Sequence, residues 1–107
     1  MKFLFQIVVI SLFSIFSHAF TVIDVRTMDE WNSGHLESAI NIEWQNITSI
    51  QSNIPKNEEI YLYCRSGNRS GKATKILLDA GYTNVINAGS IEEASSLLDI
   101  NLSLIHI

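Results

Sequence analysis

The feature that most constrains this chain is an apolar strand that runs directly into a glycine-containing loop and leaves it as a helix. Glu59-Ile60-Tyr61-Leu62-Tyr63 is rich in branched and aromatic residues that favour a pleated, buried surface. Beyond the loop, Ala73, Ile76, Leu77 and Ala80 recur at i, i+3, i+4 and i+7, one face of a helix that Gly81 is expected to end. Residue Cys64 sits at the junction, at the C-terminal end of the strand and before a helix N-terminus.

The rest of the chain repeats this alternation. Thr21-Val22-Ile23-Asp24-Val25 reads as a short buried strand, and Thr27-Met28-Asp29-Glu30 has the spacing of a capping box that opens a helical turn. Ala39-Ile40-Asn41-Ile42 is a second short apolar segment, and residues 47–54 form a weakly amphipathic helix candidate before Pro55. Thr83-Asn84-Val85-Ile86 reads as a further strand, Asn87-Ala88-Gly89-Ser90 as a turn, and residues 91–98 as a final helix. The predicted class is α/β, with a mainly parallel central sheet flanked by helices. The apolar tail, residues 100–107, is predicted either to pack on the sheet or to meet a partner.

Met1 to Ala19 has the layout of a secretory signal: Lys2, an apolar run, and Ser17-His18-Ala19 before an expected cleavage. Gln6, Ser11 and Ser14 interrupt the run, leaving it short of the roughly 20 apolar residues of a spanning helix. Contact with a membrane is thus expected only in transit. The 107 residues less these 19 leave 88, residues 20–107, room for one small domain. Lys2 is the only charge removed, so 6 Lys+Arg remain against 11 Asp+Glu, a formal charge of −5. That acidity argues against a nucleic-acid partner.

Cys64 is the only cysteine, so no disulfide forms within the chain. A lone cysteine often packs as a small hydrophobe, but here the neighbourhood favours chemistry. The thiolate is the nucleophilic form, and cations and helix N-termini lower a thiol's pKa. Arg65, Arg69, Lys72 and Lys75 lie within twelve residues starting at Cys64, with no acid before Asp79, so a local anion site is expected on an acidic protein. A basic, solvated helix face is the plainer reading of the same charges. Gly67 allows the loop amides to curl toward a common centre. Ser66 and Ser70 offer hydroxyl donors, although a serine at position 70 is expected chiefly to cap the helix.

Cys64-Arg65-Ser66-Gly67-Asn68-Arg69-Ser70-Gly71 resembles the active-site loop of rhodanese-homology domains. Ile23-Asp24-Val25-Arg26, Glu30-Trp31, Gly34-His35-Leu36 and Ala39-Ile40-Asn41-Ile42 are similar to that family's opening motif, and Gly81-Tyr82, Val85 and Asn87-Ala88-Gly89 to its closing one. With a signal-like stretch abutting the first strand, the chain resembles the small periplasmic, phage-shock-type members. Glu43, where the family commonly has proline, and Ser90, where it commonly has a second glycine, depart from the pattern.

The resemblance implies a thiosulfate sulfurtransferase. Cys64 takes the outer sulfur of thiosulfate as a persulfide, and a thiophilic acceptor such as cyanide or a thiol removes it in a ping-pong cycle. It implies that Arg65, Ser66, Gly67, Asn68, Arg69 and Ser70 bind the substrate, and that Asp24, Arg26 and His35 belong to the framework beside the site. An ion pair between Arg26 and an acid such as Glu30 is expected. No cofactor is needed, and three histidines, two of them His18 in the signal and His106 in the tail, do not make a metal site. His35 as a base for Cys64 is the weaker alternative.

Three other readings compete. A cysteine phosphatase or arsenate reductase also sets a thiolate in an amide loop, but places its arginine one residue later; four residues separate Cys64 from Arg69 here. A non-catalytic sulfur carrier or partner-binding module is the second. A dithiol oxidoreductase needs a resolving cysteine, which this chain lacks. Of three Asn-x-Ser/Thr matches, at Asn46, Asn68 and Asn101, one falls inside the loop, where a glycan would block it; this favours a bacterial periplasm over a eukaryotic secretory route.

Overall fold

A computed structural model describes residues 19–103. Four parallel strands form the central sheet in the order β3-β1-β4-β5: β1 (Thr21–Asp24), β3 (Ile40–Asn41), β4 (Ile60–Cys64) and β5 (Val85–Ser90). Between them run α1 (Met28–Asn32), β2 (His35–Leu36), a 3-10 helix (Trp44–Ser52) and α2 (Asn68–Asp79); α3 (Ile91–Leu98) and β6 (Leu102–Ser103) follow. The alternation of strand and helix thus gives the predicted mostly parallel sheet flanked by helices. The signal-like stretch lies outside the described residues, save for its last residue, Ala19.

Successive side chains of β1 and β4 point to opposite faces, and each face has its own cover. Ile23, Val25, Ile60, Leu62 and Cys64 pack with Ile47 and Ile50 of the 3-10 helix and with Ala73 and Leu77 of α2. Val22 and Tyr63 pack on the other face with Leu36, Ala88 and Ala94. Cys64 is therefore both the last residue of a central strand and a member of the larger core.

Four local readings change. The amphipathic segment at 47–54 is a 3-10 helix that starts earlier, at Trp44. Asn87-Ala88-Gly89-Ser90 is not a turn but the second half of β5; its register on β4 shifts so that Leu62 faces Asn87 while Tyr63 faces Gly89, leaving Ala88 as a bulge. Turn-prone composition misled because parallel pairing with β4 outweighs local propensity. Ser90, the departure from the paired glycine, caps α3 through a capping box with Glu93. Finally, the described part of the tail adds β6 antiparallel to β2, apart from the main sheet.

Candidate functional site

Parallel strands end on one edge of the sheet, and the loops leaving those ends form the site. Asp24, Arg26, Cys64 and Gly89 all lie at or just beyond the C-terminal ends of β1, β4 and β5. Gly67, with φ +96, is the N-cap of α2 and turns the loop back over Cys64. A side chain there would approach the Cα of Gly89 to 3.3 Å, so the two glycines let loop and strand close on one another.

The sulfur of Cys64 is fully buried and sits in a ring of donors. The Gly67 N–H donates to Sγ at 3.0 Å, the Ser70 N–H at 3.4 Å, and the Ser70 hydroxyl lies 3.5 Å away. Burial acts to raise the thiol's pKa. Hydrogen bonds from the Ser70 hydroxyl and from the amides of Ser70, Ser66 and Gly67 outweigh it, and the net shift is downward. Of the two expected causes of activation, the loop and helix N-terminal donors are the ones that lower the pKa, with no cation among the principal contributors.

The cations of the loop are mostly engaged elsewhere. Arg69 makes a two-point ion pair with Glu30, at 2.7 Å and 3.0 Å, rather than lining an open anion site. That pair holds the Glu30 carboxyl down at about 2, with further help from Thr27. The Lys72 ammonium lies 5.0 Å from the centre of the Trp44 ring, and Lys75 reaches Asp79 at 3.4 Å. Arg65 is exposed and has no hydrogen bond or ion pair among the described residues. Asn68 opens α2 with an exposed side chain, and Ser66 is exposed beside Arg65. Ser70 is not the helix cap; it lies in the first turn of α2 with its hydroxyl against Cys64 and Asn87.

The expected partner of Arg26 also changes. Arg26 pairs with Asp24, not Glu30: its Nη2 lies 2.7 Å from Oδ2, its Nε is 3.0 Å from both carboxylate oxygens, and Nη2 also donates to the Gly34 carbonyl. The side chain of Asn41 donates to the carbonyls of Asp24 and Arg26 at 3.0 Å. His35 stacks on Trp31 and its Nδ1 contacts the Trp31 carbonyl, so it belongs to the α1–β2 connection and makes no hydrogen bond to Cys64.

Residues 14–96 match the family model of the rhodanese-like domain. The chain belongs to the rhodanese-like domain family. Thiosulfate sulfurtransferase PspE of Escherichia coli (strain K12) is 38% identical over 73 residues, covering 66% of this chain and 70% of the relative. A sulfurtransferase of Allochromatium vinosum is 36% identical over 66 residues, 62% of each protein. Among solved structures, a rhodanese from E. coli with anions has a TM-score of 0.65 at 35% identity, covering 70% of this chain and 91% of that one. The rhodanese_3-like domain of the Alr3790 protein from Anabaena sp. reaches 0.71 at 25% identity, covering 80% and 100%.

One residue beside the loop of this rhodanese-like domain was missed by sequence reasoning. Asn87 bonds to Ser70, Gly67 and Gly89, yet in the sequence it reads only as part of a turn. The one available signal was its place within the closing motif. Among the described residues a cavity of about 180 Å³ lies away from Cys64, between α3 and the β2–β6 pair, lined by Leu36, Ile91, Glu92, Ser95 and Leu102.

Proposed function

We propose that this rhodanese-type sulfurtransferase carries sulfur on Cys64, with thiosulfate as donor. The observation that supports this most is the ring of donors around a single buried sulfur, which stabilises negative charge on that atom. The Cys64 thiolate attacks the outer sulfur of thiosulfate; a Cys64–sulfur bond forms, the donor's sulfur–sulfur bond breaks, and sulfite leaves with the electron pair. A nucleophilic acceptor such as cyanide or a thiol then attacks the outer sulfur of the persulfide and returns Cys64 to the thiolate, the two halves making a ping-pong cycle. Burial keeps bulk water from the persulfide. Cys64 is buried while the adjoining Arg65 and Ser66 are exposed, and Arg65, which has no ion-pair partner among the described residues, is the cation placed to meet the donor's charged end. Gly67, Asn68, Arg69 and Ser70 shape the loop around it.

The phosphatase reading loses ground because its phosphate-gripping arginine would be Arg69, which is engaged by Glu30. The export reading, with residues 1–19 removed and residues 20–107 acting in a bacterial periplasm, rests on the sequence of that stretch. Purified protein given thiosulfate and cyanide is expected to form thiocyanate, and Cys64→Ser is not. Phosphate-ester hydrolysis without thiocyanate would overturn the proposal, and a Cys64 that accepts sulfur but never releases it would favour the carrier module.

A further inference from the structure

An exposed asparagine is a poor choice for the interior of a strand, where branched and aromatic residues are preferred. Asn87 nevertheless stands in β5 immediately before the Ala88 bulge. Such a break with local preference is expected where a residue has a task.

Its carboxamide spans three segments. Oδ1 accepts from the Ser70 hydroxyl at 2.7 Å and from the Gly89 N–H at 3.0 Å, and Nδ2 donates to the Gly67 carbonyl at 3.1 Å. The Gly89 N–H can only donate, which fixes the atom facing it as the oxygen and the atom facing Gly67 as the nitrogen. The two loop residues Asn87 holds, Gly67 and Ser70, both have N–H groups that donate to Cys64 Sγ, at 3.0 Å and 3.4 Å.

The Ser70 hydroxyl has a single proton, and the 2.7 Å contact directs it to Asn87 while Sγ waits at 3.5 Å. Asn87 thereby keeps the hydroxyl beside the sulfur when Cys64 is uncharged, within reach when charge develops there. We propose that Asn87 is the positioning residue of the Cys64 cradle, orienting the Gly67 and Ser70 donors on the sulfur from the neighbouring strand. The proposal rests on Cys64 being the working sulfur, but its consequence is an acidity, which is measured without donor or acceptor.

The test is an ultraviolet titration of the thiolate, taken as the difference from Cys64→Ser, in Asn87→Ala and Asn87→Asp, with the fold followed by circular dichroism. Loss of about one hydrogen bond's worth of orientation should move the midpoint upward, equivalent to about a fivefold smaller thiolate fraction at a fixed pH below it. Asn87→Asp, nearly isosteric, should move it at least as far, because it sets an acceptor against the Gly67 carbonyl and adds negative charge near the sulfur. In a Ser70→Ala background the Asn87→Ala step should shrink, since one of the two donors it orients has lost its hydroxyl. Folded variants that titrate like the parent, or at lower pH, would overturn the proposal. So would equal steps in the two backgrounds.

Discussion

Arg69 and Glu30 face one another with Nη1 donating to Oε1 and Nη2 to Oε2, tying the first turn of α2 to the capping box of α1. Glu30 thus serves two elements at once: its Oε1 also accepts from the Thr27 N–H and hydroxyl. Both partners are about a quarter exposed, with relative exposures of 27% and 27%, so the pair is screened by water and its contribution is modest.

The first prediction follows from that pair. The Glu30 carboxyl is lowered from 4.5 to about 2 by the Arg69 hydrogen bonds and those of Thr27. The unfolded chain therefore binds a proton first as pH falls, so this group's stabilisation is present above about 4.5 and is lost progressively toward 2. Glu30→Gln should cost about 1 kcal/mol or less at neutral pH. It should also flatten the acid limb of the stability curve over that window, as read by urea unfolding at several pH values.

Arg65 has no partner among the described residues and stands exposed next to Cys64. Arg65→Ala is expected to raise the KM for thiosulfate several-fold with little change in kcat, and Arg65→Glu to raise it further; both effects should weaken in high salt, which screens an exposed charge. Steady-state kinetics at two ionic strengths checks this. An unchanged KM would remove Arg65 from donor capture.

Asp24 is fully buried and its carboxylate is held by Arg26, itself 7% exposed. Asp24→Ala strands the guanidinium in the interior, and leaving one member of a buried pair costs about 3–5 kcal/mol. Denaturant unfolding should show a loss of that order, whereas the loss at Glu30→Gln should be several times smaller, although both residues belong to ion pairs beside the same loop.

The contrast between these pairs marks how far the sequence could be read. The short apolar, β-prone runs at residues 21–25 and 59–63, and the helical spacing of Ala73, Ile76, Leu77 and Ala80, carry the α/β architecture because they depend only on local composition and periodicity. Cys64 was legible because strand, glycine loop and helix start coincide there. Which acid meets which arginine was not: Asp24 and Glu30 are both close to Arg26 in sequence, and the choice is made by α2 bringing Arg69 against α1. Asn87 was hidden for the same reason, since its partners Gly67 and Ser70 lie 20 and 17 residues away.

Gly89 adds a prediction about packing. With φ +87 it adopts a conformation that side chains resist, and a Cβ there would come within 2.3 Å of Glu93 Oε1, the acceptor that caps α3 from Ser90. Gly89→Ala should cost about 1–3 kcal/mol, from backbone strain and a disturbed cap. Thermal unfolding checks it, and an unchanged Tm would mean that β5 shifts to accept the methyl.

The central claim is that Cys64 carries the transferred sulfur, and intact-mass measurement after thiosulfate treatment tests it most directly. The parent protein is expected to gain one sulfur atom, to lose it on addition of cyanide with release of thiocyanate, and Cys64→Ser to gain none. A parent chain whose mass is unchanged by thiosulfate, or a Cys64→Ser chain that gains the same sulfur, would contradict the account.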